Sequence, residues 1–85
     1  MTKAQTIAAD FIDNYLRDPQ EPLHWDQISD HVKAEGGRVK NWMTIRSVLQ
    51  WFINEGHLKR DHGKTDAANG IFDVEALRVE RYIPA

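Results

Sequence analysis

The chain has 85 residues, 41% of them apolar and 28% charged, with no cysteine and a net charge of −2. A chain of that length makes one domain burying roughly 60–65% of the surface its unfolded form exposes, and with no cysteine neither a disulfide nor a thiolate metal site can staple it. The N-terminal segment is broken by polar residues and no apolar run approaches membrane length, so neither a signal peptide nor a membrane span is predicted and the expected setting is cytoplasmic.

Ile7, Ala8, Phe11, Ile12, Tyr15 and Leu16 recur at the steps of an amphipathic helix, which the pattern places over about residues 3–17. Asp18-Pro19 ends it, because the residue before proline is pushed out of helical conformation, and 19–22 is a connector. Leu23 stands where a short strand can open. Trp25, Ile28 and Val32 then share a face, which predicts a second helix over 24–34 with Gln27 answering His24 as in a capping box and Leu23 stapled to Ile28. Glu35-Gly36-Gly37 breaks this helix, and Arg38-Val39-Lys40 leads onward.

The next helix, predicted over 41–55, organises the rest. Asn41 is a good N-cap, Trp42, Ile45, Val48, Leu49, Phe52 and Ile53 form its apolar face, and Gly56 supplies a left-handed C-cap. Its outward face carries Met43, Ser47, Gln50, Trp51 and Asn54, flanked by Thr44 and Arg46. His57–Arg60 and Gly70–Glu75 read as two strands of a wing over about 57–75, joined by the polar loop 61–69. The apolar phase slips within 76–85, and a bulge, a further strand or a short helix each fits.

Charge is distributed unevenly along these elements. Residues 1–32 hold two cations against six anions, whereas residues 33–64 hold seven cations against three. A cationic middle on an acidic body is the pattern of a polyanion-binding face. Arg38, Lys40 and Arg46 flank a helix start, where phosphate is favoured by free N–H groups as well as by charge. Ser47, Gln50 and Asn54 are ordinary surface residues as well as base readers by residue type. Met43 and Trp51 fit protein contact better, since large apolar groups gather at interface centres, although Trp51 can instead tuck beneath Tyr82 and Ile83.

Enzyme chemistry, metal and cofactor are not predicted. His57-x4-His62 lacks the spacing of a closed zinc site, and no nucleophile elbow or phosphate loop occurs.

From Asn41 to Leu58, the residues Asn41, Trp42, Thr44, Ile45, Arg46, Val48, Leu49, Phe52, Gly56 and Leu58 follow the Ser-Arg-x-Thr-Val-Arg-x-Ala-Leu-x-x-Leu-x-x-x-Gly-x-Leu pattern of GntR-type repressors. The chain thus resembles the winged helix-turn-helix superfamily by architecture over 24–75 and by motif over 41–58. The resemblance implies an α+β fold of three helices followed by a two- or three-stranded antiparallel wing, forming one domain over 1–85. It also implies a regulator or accessory factor that binds double-stranded DNA with its third helix in the major groove, Thr44 and Arg46 near the DNA, and Lys59, Arg60, His62 and Lys64 on a cationic wing edge. Trp42 departs from the family, which often carries a DNA-contacting arginine there. The resulting DNA-contacting set is Arg38, Lys40, Asn41, Thr44, Arg46, Ser47, Gln50, Lys59, Arg60 and Lys64. One module covers only about 600–1,000 Å² of DNA, so a homodimer is the expected way to double the site. The alternative is a module binding a protein partner through Met43, Trp51 and the acidic first helix.

Overall fold

The structure, a computed structural model, describes residues 1–61 and 81–85. Their elements run α1 (Lys3–Arg17), β1 (Leu23–His24), α2 (Trp25–Ala34), α3 (Met43–Asn54), β2 (Leu58–Asp61) and β3 (Arg81–Pro84). This is an α+β arrangement of three helices and one antiparallel three-stranded sheet among the described residues.

Local chemistry sets the helix ends. The Gln5 N–H donates to Thr2 Oγ1 and the Thr2 N–H donates to Gln5 Oε1, a reciprocal box that satisfies two N–H groups at the start of α1. At α2 the His24 N–H donates to Gln27 Oε1 at 2.9 Å, as the spacing predicts. The predicted glycine stops also form. Gly36 and Gly56 have φ of 82° and 78°, and each closes a Schellman motif. After α2, Gly36 and Gly37 donate to the carbonyls of Lys33 and Val32; after α3, Gly56 and His57 donate to those of Ile53 and Phe52.

The core follows the predicted faces. Ala8 and Ile12 from α1, Ile28 and Val32 from α2, and Ile45, Val48, Leu49 and Phe52 from α3 are buried together with Leu23, Leu58 and Tyr82. Each large aliphatic group so buried contributes about 1.5–3 kcal/mol. Trp42 does not join them. At 39% exposed it sits on the rim of the apolar stripe.

The sheet departs from a layout of helices followed by a wing. β1 precedes α2, and the strand order is β1-β3-β2, with the C-terminal segment as the central strand. Leu23 and His24 pair with Tyr82 and Arg81, and Leu58 to Asp61 pair with Pro84 back to Arg81. The tail therefore takes the strand option over 81–84, where pairing on both sides places Tyr82 in the core. The expected strand 70–75, the loop after Asp61 and residues 76–80 lie outside the described residues. No helix among the described residues is long and apolar enough to cross a membrane.

Candidate nucleic-acid interface

The segment entering α3 alternates. Val39 packs against the core, and the side chains on either side of it, Arg38 and Lys40, are turned out and exposed. Asn41 follows and acts as the cap: its Oδ1 accepts the Met43 N–H at 2.9 Å and its carbonyl accepts the Thr44 N–H at 3.2 Å. The regular helix runs from Met43 rather than from 41, and Trp42 just before it already has helical backbone angles. The Arg46 guanidinium lies 5.7 Å from the centre of the Trp42 ring, a cation–π contact that holds the charge at this end of the helix. Arg38, Lys40 and Arg46 thus gather around one helix start. None of them is ion-paired with a described residue.

The remaining members of the predicted set are distributed differently. Thr44 is half-buried. Ser47 ties two helices together, its Oγ donating to the Thr44 carbonyl at 3.1 Å and accepting from Gln5 Nε2 at 3.2 Å. Gln50 has both ends of its amide engaged: Nε2 donates to Asn54 Oδ1 at 2.9 Å, and Oε1 accepts from the Arg60 guanidinium at 2.8 Å. Reading adenine takes both ends of a glutamine at once, so Gln50 as placed here is a brace between α3 and β2. Strand pairing separates the two wing cations. Arg60 stands opposite buried Tyr82 on the inner face of the sheet, while Lys59 stands opposite Ile83 on the outer face. Lys64 and His62 lie outside the described residues.

Met43 and Trp51 are both exposed, at 51% and 55%. Trp51 does not tuck away; its ring meets Phe52 edge-on at 5.0 Å and His57 at 6.3 Å. It stands on the side of α3 that faces α1, apart from the cationic helix start. Gln5 is the residue that sequence reasoning missed here, since one amide both caps α1 and reaches α3. The Thr2-x-x-Gln5 spacing was the available signal.

No family model matches the chain, and no curated protein and no solved structure matches it.

Proposed function

We propose that the protein binds double-stranded DNA as a small winged helix-turn-helix module, a regulator or accessory factor, presenting the N-terminal end of α3 to the duplex. The observation that carries the reading is the exposed pair Arg38 and Lys40, ion-paired with no described residue, beside Arg46 at one helix start. Cations so placed suit phosphate oxygens, which fix a protein on the duplex without reading its sequence. An α+β layout with two helices separated by a glycine turn is compatible with this fold family.

The internal bonds of Ser47 and Gln50 shape the proposal further. Contacts are led by the backbone, and base discrimination falls to the few exposed side chains of the first turns, of which Met43 offers an apolar contact of the kind thymine methyl groups take. The test is fluorescence anisotropy of a labelled random-sequence duplex at two salt concentrations, with Arg46→Ala and Lys40→Ala beside the parent chain. Salt-sensitive binding that both substitutions weaken supports the reading. Absence of binding at low salt, or binding indifferent to both substitutions, overturns it.

A further inference from the structure

A groove of about 490 Å³ runs between α1 and α3, on the opposite flank of α3 from the Gln50–Arg60 brace. Its floor is apolar, made by Ala9, Val48, Phe52 and the exposed ring of Trp51. Two carboxylates, Asp10 and Asp13, stand on its α1 side, one helical turn apart; both are exposed and neither is ion-paired with a described residue. We infer that this groove is a docking site for a cationic amphipathic helix of a partner protein, with its apolar stripe on Trp51 and lysine or arginine side chains on Asp10 and Asp13.

Three features choose that occupant. The lining comes from the ridges of two packed helices rather than from a sheet edge, and a third helix fills such a trough by laying apolar side chains at three- and four-residue steps between the ridges. A half-exposed tryptophan over a buried floor is the side chain that most often anchors an interface. The carboxylates set the sign of the partner's charge, and they repel nucleic acid, so this flank of α3 is suited to protein while the basic helix start is suited to phosphate. A second copy of the chain is a poor occupant. The polar faces of α1 and α2 carry four carboxylates, Asp10, Asp13, Asp26 and Asp30, against three cations, Lys3, Arg17 and Lys33, so neither helix offers the uniformly cationic face that the two groove carboxylates select.

The probe is a fluorescein-labelled leucine/lysine peptide of about four helical turns, roughly 14 residues, with leucines on one face. A scrambled isomer of equal composition and charge, which has no such face, is run beside it. Anisotropy should show the amphipathic peptide bound more tightly than its isomer, and Trp51→Ala should weaken it about 30-fold, as loss of an interface anchor does. Where Trp51→Ala perturbs the fold by circular dichroism, the double variant Asp10→Asn with Asp13→Asn keeps the test sharp. Both positions are exposed, and their loss should weaken the peptide by about fivefold at low salt with little effect at high salt. Equal binding of the two isomers, or binding that neither variant changes, overturns the inference. So does a homodimer in sedimentation analysis that Trp51→Ala dissociates, because the groove would then belong to a second copy.

Discussion

At the scale of single residues, residues of one type serve different ends, and their surroundings decide which. Gly56 and Gly37 illustrate this. Gly56 has nothing near where a Cβ would stand, but its φ is 78°, so Gly56→Ala should cost about 1–2 kcal/mol through backbone strain alone, and Gly56→Asn less. At Gly37 the obstacle is contact: a Cβ would fall 2.6 Å from Val32 Cγ1 and 3.2 Å from Ala4 Cα. Gly37→Ala should therefore cost about 1–3 kcal/mol as overpacking, because the connector could no longer lie against α1. Urea denaturation of the three variants checks both statements, and Gly37→Ala matching the parent would mean that Val32 and α1 give way freely. Gln50 makes the corresponding case for function. If it braces Arg60, Gln50→Ala should leave the relative affinities for duplexes of different sequence unchanged, whereas a glutamine that read adenine would lose about 1–3 kcal/mol of discrimination.

At the scale of elements, the central strand is the piece on which the others depend. β3 pairs on both sides, and Tyr82 carries its buried anchor at 2% exposed. A domain of this size has about 4–13 kcal/mol of stability, and truncating a buried aromatic residue removes about 3–5. Tyr82→Ala should lower the urea midpoint severely, while Pro84→Ala, at an exposed strand end, should barely move it; equal effects would deny β3 its central place. The helices were legible in the sequence because their signals are local: the span 3–17, the two glycine stops and the buried stripe of α3 all follow from residues within a few turns of one another. The sheet was not. Leu23 meets Tyr82 across most of the chain, and nothing in either short segment names the other. The same limit hid the site's internal bonds, since Gln5–Ser47 and Gln50–Arg60 join residues on different elements. Arg38, Lys40 and Arg46 could be read as neighbours because one helix start and its leader contain them all.

At the scale of the whole molecule, the net charge of −2 sets a condition on any DNA complex: it must form through one face. The exposed carboxylates of α1 and α2 are repelled by the duplex, which disfavours the orientations that present those helices and leaves the start of α3 as the favoured approach. Three cations stand there, so the logarithm of affinity should fall against the logarithm of salt with a slope of about 2.7, a loss of roughly 40-fold between about 50 and 200 mM. Lys40→Ala and Arg46→Ala should each reduce that slope by about 0.9. Lys59→Ala should reduce it less, because its side chain stands on the outer face of the sheet beside Ile83. Salt titrations of the four proteins on one duplex separate the possibilities. A slope unchanged by Lys40→Ala but reduced by Lys59→Ala would place the DNA on the sheet rather than on α3, and the cations at the helix start would then be only a solvated surface.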